Sequence, residues 1–113
     1  MNTIATGFLL NLLNRGASAW NAWRGLRPTA LIDFTHTDLS YRDLSGYNFT
    51  LADFSGSNLL HTKFVGADLS FAVVVGTVLN QSCVKGTILE GVNLSSAYVD
   101  GDPPAFLDGT ALS

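Results

Sequence analysis

Residues 51–79 read LADFSGSNLLHTKFVGADLSFAVVVGTVL, and Phe54, Leu59, Phe64, Leu69, Val74 and Leu79 fall five apart within them. The same count run outward meets Phe34, Leu39, Leu44 and Phe49 before this stretch and Val84, Leu89, Leu94 and Val99 after it, fourteen positions without a miss. Leu, Phe and Val make up 32 of the 113 residues. A run of that length in one phase would arise by chance about once in ten million trials. Five is neither the 3.6-residue period of a helix nor the two-residue period of a strand. Each unit therefore has to be a short extended piece followed by a turn that returns the next apolar residue to the same interior, and a chain of such units is a coil.

The remaining positions of the unit agree. Two residues before the apolar centre stand small residues such as Ala52, Ser57, Ala67 and Ala72. One before it are mostly Asp or Asn, including Asp33, Asp38, Asp43, Asn48, Asp53, Asn58, Asp68 and Asn93. Two after it come Gly46, Gly56, Gly66, Gly76, Gly86, Gly91 and Gly101, the residue that a tight corner favours. With runs such as Ala67-Asp68-Leu69-Ser70 and Val92-Asn93-Leu94-Ser95, the chain resembles the pentapeptide-repeat family, whose consensus is A(D/N)LxX. The resemblance runs from Ala30 to about Asp100.

That resemblance implies an all-β solenoid: a right-handed, four-sided parallel β-helix with one pentapeptide per side and twenty residues per turn. The register breaks after Gly101, where Asp102-Pro103-Pro104 reads as a three-residue insertion before Leu107 and Leu112 resume the spacing. Sixteen units make about four turns. Residues twenty apart should then stack, as in Phe34, Phe54, Val74 and Leu94. The chain divides into residues 1–28, an N-terminal cap, and residues 29–113, the repeat domain.

A solenoid needs its ends covered. Leu9, Leu12, Leu13, Trp20 and Trp23 recur at spacings suited to a helical face, interrupted near Gly16 and ended by Pro28. This predicts one bent helix or two short ones, with Ser18 as N-cap of the second and Arg24 and Arg27 near its C-terminus. Leu13-x-x-Gly16 followed by Ala19-Trp20-Asn21-Ala22-Trp23-Arg24 is similar to the leader that precedes the repeats in many bacterial members. Ile32, Thr37, Arg42 and Tyr47 put bulk where later turns have small residues, which fits only where no turn lies above. At the far end Leu107 and Leu112 leave apolar residues beside an uncovered edge, and the resemblance implies homodimerisation there.

Composition narrows function further. A net charge of −3 argues against general nucleic-acid binding, and 47% hydrophobic residues argue against disorder. The apolar run Phe8 to Leu13 is broken by Asn11 and falls far short of the roughly 20 residues that span a bilayer. Ala17-Ser18-Ala19 resembles a signal-peptide cleavage site, but no Lys or Arg precedes the apolar run, so a cytoplasmic location is expected. His36 and His61 fall on different sides of a twenty-residue coil, and a lone Cys83 builds no metal site. No nucleotide-binding, zinc-protease or dithiol motif is present, so no enzyme activity, cofactor or metal is expected.

Two surfaces remain. Asp33, Asp38, Asp43, Asp53 and Asp68 offer acids, and some pentapeptide-repeat proteins resemble duplex DNA and bind type II topoisomerases such as gyrase; here the acids thin out after the second turn. Leu51, Phe71, Val73, Val75 and Val78 form an outward apolar strip around the third turn, with Ile88 on another side. A patch of this kind points to contact with a protein partner. The reading is a repeat module that presents a rigid surface to another protein or to its own copy, with an acidic topoisomerase mimic as the alternative.

Overall fold

A computed structural model describes residues 4–79, 84, 86–98 and 111–112. The chain opens with two short helices, α1 over Thr6–Leu13 and α2 over Ala17–Leu26. α1 buries Leu9, Leu12 and Leu13 on one face. Gly16 separates the helices with a φ of 100°, a conformation that side chains other than hydrogen resist. Gly16 is also the N-cap of α2, and Ser18 lies inside the helix, so the expected Ser18 cap is not formed. Pro28 disfavours helical backbone at Arg27, and α2 stops at Leu26. Among the described residues no helix is long and apolar enough to cross a membrane.

From Ile32 onward the backbone pairs with itself at a constant offset. Asp33 bridges Asp53 and Asp53 bridges Val73; Asp38 bridges Asn58, then Val78, then Tyr98; Asp43 bridges Lys63; Asn48 bridges Asp68, then Ile88. Every bridge is parallel and spans twenty residues. Four columns result, centred on Phe34/Phe54/Val74, Leu39/Leu59/Leu79, Leu44/Phe64/Val84 and Phe49/Leu69/Leu89, and all of these centres are buried. Leu94 is half-buried, and Val99 and Leu107 lie outside the described residues. The straight pieces are too short for continuous strands, so pairing takes the form of single bridges plus β1 (Ile88–Leu89) parallel to β2 (Ala111–Leu112). There Leu89 pairs with Leu112, an offset three residues longer than elsewhere; residues 102–104 themselves lie outside the described residues.

Each unit uses its five residues the same way. In column one the Phe54 amide donates to the Val73 carbonyl (2.8 Å), and the Val73 amide donates back to Ala52 (2.9 Å). The corner closes when Ala52 N–H donates to Phe49 (3.0 Å) and Ser57 N–H to Phe54 (2.9 Å). In such a turn the third residue takes positive φ. Gly46, Gly56, Gly66, Gly76, Gly86 and Gly91 do so, and so do His36, Tyr41, Leu51, His61 and Phe71. Where the small inward position is threonine, its hydroxyl is buried and satisfied: Thr62 donates to Leu39, Thr77 to Phe54 and Thr87 to Phe64.

The helices close the first turn by supplying, from side chains, the partners that a preceding turn would have supplied from backbone. Trp20 is fully buried and its Nε1 donates to the Asn48 carbonyl (2.7 Å). Asn21 donates to Gly46 (2.9 Å) and accepts from the Asn48 amide (2.8 Å). Thr6 donates to Asp33 (3.1 Å), and Arg24 to Thr50 and to Arg27 (both 2.6 Å). Among the described residues no carboxylate pairs with the buried Arg24, and burial pulls its guanidinium below its ordinary pKa. Bulk in the first turn meets this cap as expected: Ile32 and Tyr47 are buried, the Tyr47 hydroxyl donates to Leu13 (2.7 Å), and Arg42 donates to Asn14 (2.6 Å).

Candidate interaction surface

The outward positions flank each buried centre, and their chemistry changes along the stack. In the first two turns the residue before the centre is mostly Asp or Asn, and its side chain accepts from the amide two residues on. Thr35 donates to Asp33, Ser40 to Asp38, Ser45 to Asp43, Thr50 to Asn48, Ser55 to Asp53 and Leu60 to Asn58. Asp68 receives Ser70 and Asn93 receives Ser95 in the same way. These residues fold the chain locally by giving the turn backbone a partner. Asp33, Asp38, Asp43, Asp53 and Asp68 occupy all four columns, so they form a belt around the first two turns; Asp38 and Asp43 are exposed, and the other three are half-buried.

Hydroxyl donation from Thr35, Ser40 and Ser45 respectively, reinforced by their backbone amides, holds the carboxyls of Asp33, Asp38 and Asp43 below the usual range. A carboxyl depressed in the folded state stabilises fully above its unfolded value, about 3.9, and that contribution is lost as pH falls through the folded value. Urea midpoints should therefore stay level from pH 7 to 5 and fall below pH 4. The triple variant D33N/D38N/D43N should lose less over the same acid interval, and an identical loss would show that other groups drive it.

In the third turn this pattern lapses. Val73 and Val75 replace the Asp/Ser pair of column one and are 42% and 55% exposed. Leu51 and Phe71, one above the other in the corner before column one, are 51% and 54% exposed. The Phe71 ring lies over the Gly91 backbone, where a Cβ would meet it at 2.5 Å. Val78 departs from the expectation: it is half-buried, in a column whose next residue is the large Tyr98. Ile88, at 43%, is exposed in column four. A shallow cavity of about 230 Å³ is lined by Phe71, Val73, Val75, Gly91 and Asn93, and a second of the same size by Leu31, Asp33, Leu51 and Asp53.

Phe8, Leu26, Leu31, Tyr41 and Val65 are exposed apolar residues that the sequence analysis does not single out, and two of them lie beside the strip or on another column. Leu31, 50% exposed, occupies the same corner as Leu51 and Phe71 one turn earlier, and Val65, 44% exposed, lies in column three. Counting corner positions in steps of twenty would have found Leu31. The cap residues Leu9, Leu12, Leu13 and Trp20 are buried, and Trp23 is half-buried between Phe8 and Trp20. Leu107 and Cys83 lie outside the described residues, and Leu112 is described only through its backbone pairing in β2. His36 and His61 occupy different corners; His61 stacks on Tyr41 with ring centroids 4.9 Å apart. Among the described residues, no three of His, Cys, Asp and Glu gather as a metal site would require.

A family model of pentapeptide repeats matches residues 32–70 in eight copies. No curated protein matches the chain. Among solved structures, the chain is similar to the pentapeptide repeat protein Rfr23 from the cyanobacterium Cyanothece, with 25% identity over 72% of this chain and 50% of that one, at a TM-score of 0.59. A pentapeptide repeat protein of the Arabidopsis thaliana thylakoid lumen is also 25% identical, over 73% of this chain and 55% of its own, at a TM-score of 0.36. The chain thus spans about half the length of these two structures. The five-residue spacing of buried centres, the twenty-residue offset of the bridges and the eight matched copies all describe one architecture, and residues 32–70 of this chain are pentapeptide repeats.

Proposed function

We propose that this chain is a non-enzymatic interaction module: a right-handed, four-sided β-helix of about four turns, capped by its two helices, that offers a preformed outer surface to another protein. The observation that carries the reading is the cluster of Leu51, Phe71, Val73 and Val75, each more than two-fifths exposed, on neighbouring turns of one corner and column. Strand propensity accounts for valine in a wall but not for its gathering with Leu51 and Phe71. The backbone beneath is committed to inter-turn bonds, so a partner meets a surface that needs little ordering on binding.

The acidic-mimic alternative has less support. Its carboxylates are turn acceptors distributed over four columns, and by the third turn Val73 and Val78 stand in place of Asp53 and Asn58. Duplex DNA presents a negative charge every 1.7 Å or so of its axis.

The test is the double variant V73D/V75D. Both positions face outward, so circular dichroism and melting temperature should be unchanged within about 2 °C, as for surface substitutions generally. Cross-linked partners of the wild-type chain should be reduced at least tenfold in the variant. Unchanged partners with an intact fold would defeat the choice of surface. Light scattering on the same samples separates a second copy of the chain, joined through the edge near Leu112, from a different protein.

A further inference from the structure

Leu31, Leu51 and Phe71 mark one corner on three successive turns, and each is half or more exposed. Leu51 and Phe71 hold φ of 65° and 60° there, whereas the corner between columns three and four has glycine on every described turn, at Gly46, Gly66 and Gly86. Glycine meets the backbone requirement without strain, so the bulky apolar side chains are not demanded by folding. The two columns that meet at this corner carry, among the described residues, acids and no lysine or arginine: Asp33 and Asp53 in column one, Asp68 and Glu90 in column four. Arg42 and Lys63 both lie in column three, which does not meet this corner. Arg27 lines the cavity of about 570 Å³ beside Leu31 and sits 5.6 Å over the Trp23 ring, so the acid-flanked part of the line begins at Leu51.

We infer that the Leu31–Leu51–Phe71 corner is the docking line for a basic amphipathic helix of a partner protein, which seats its apolar stripe on the line while its Lys and Arg flanks face the acids on either side. This inference rests on the interaction-module reading. A helix fits because its i, i+3 or i+4, and i+7 side chains span about 10.5 Å, while two inter-turn steps span about 9.6 Å. An extended segment fits less well, since it binds a sheet through free main-chain groups. Beside this corner the amides of Phe34, Leu51, Phe54, Phe71 and Val73 already donate to neighbouring turns. The acids supply the charge complementarity that selects a cationic partner and speeds its association.

The experiment uses the full chain and two labelled 18-residue peptides with the same leucine stripe, one flanked by lysines and the other by glutamates. Fluorescence anisotropy should show the lysine peptide binding at least tenfold more tightly than the glutamate peptide, and weakening several-fold between 50 and 300 mM NaCl. L51G/F71G, which places at these corners the residue their φ favours, should abolish binding. D53N/D68N/E90Q should weaken it at least tenfold without altering the melt, because Asn48, Asn58 and Asn93 already make the same turn bond as aspartate. Equal binding of both peptides, or lysine-peptide binding that survives L51G/F71G, overturns the inference. If cross-linked partners are lost in V73D/V75D while the lysine peptide fails to bind, the module stands and the basic helix falls; if both experiments fail, the module reading falls as well.

Discussion

Replacing Trp20 with alanine is expected to destabilise the protein by about 3–5 kcal/mol, a large share of the 5–15 kcal/mol that holds a domain of this size together. The indole is fully buried, and its ring centroid lies 5.4 Å from Phe49, 5.9 Å from Phe34 and 6.3 Å from Tyr47. It is the plug between the helices and the open cross-section of the first turn. Truncation removes that contact area, opens a cavity among Phe34, Tyr47 and Phe49, and leaves the Asn48 carbonyl without the Nε1–H donor. Trp20→Phe should separate the two losses: it keeps a ring in the plug and gives up the hydrogen bond, for a smaller cost. Trp23→Ala, at a half-buried position, should cost less than Trp20→Ala. Urea unfolding followed by circular dichroism measures all three. A loss below about 1 kcal/mol for Trp20→Ala would mean that the indole does not close the stack.

Much of this architecture is legible in the sequence because the period of five is enforced by geometry at every turn. A centre such as Leu59 must be apolar because it is walled in by Leu39 and Leu79, and the residue before it must feed the turn, as Asn58 does for Leu60. Glycine two places after a centre, as at Gly56 and Gly66, follows from the left-handed corner, although His61 holds the same conformation after Leu59. Even the first turn's exceptions are readable, since Ile32 and Tyr47 fit only against a cap. What escapes is set by three-dimensional pairing without a periodic signature. Nothing in Trp20-Asn21-Ala22-Trp23-Arg24 says that Trp20, Asn21 and Arg24 will each reach a first-turn carbonyl. α2 starts at Ala17 and not after Ser18 for a related reason: Gly16 at positive φ makes the break by backbone alone, so a serine two residues on is not needed as a cap. On the surface, Leu31 is hard to see because it stands ahead of the first counted centre, Phe34, where the corner it begins becomes evident only once Leu51 and Phe71 stack beyond it.

The core narrows along the stack, and that gradient sets the second large expectation. Phe34, Phe49, Phe54 and Phe64 are all fully buried in the first two turns, whereas the third turn has Val74, Leu79 and Val84 at its described centres before Leu89. Phe54 stacks on Phe34 at 5.7 Å and 14°, and meets Phe49 and Phe64 edge-on at 5.4 and 6.4 Å. Phe54→Ala should therefore cost about 3–5 kcal/mol, while Val74→Ala, one turn on in the same column, removes two methyl groups and should cost about 1–2 kcal/mol. In a repeat stack each turn contacts only its neighbours, so a strong pair of turns protects itself more than it protects the rest. Native-state hydrogen exchange should accordingly find the amides of Phe34, Leu39, Phe49 and Phe54, which donate into the second and third turns, slower than those of Gly76 and Leu79, which donate to Ser96 and Tyr98. Phe54→Ala should flatten this difference by lowering protection in the first two turns, and Val74→Ala should leave it standing. Equal costs for the two variants, or uniform protection along the wild-type stack, would mean that the aromatic cluster does not anchor the fold. If the gradient is present, the surface beside Val73 and Val75 is held mainly from its capped side, and substitutions that loosen Phe54 should weaken partner binding there without touching the surface itself.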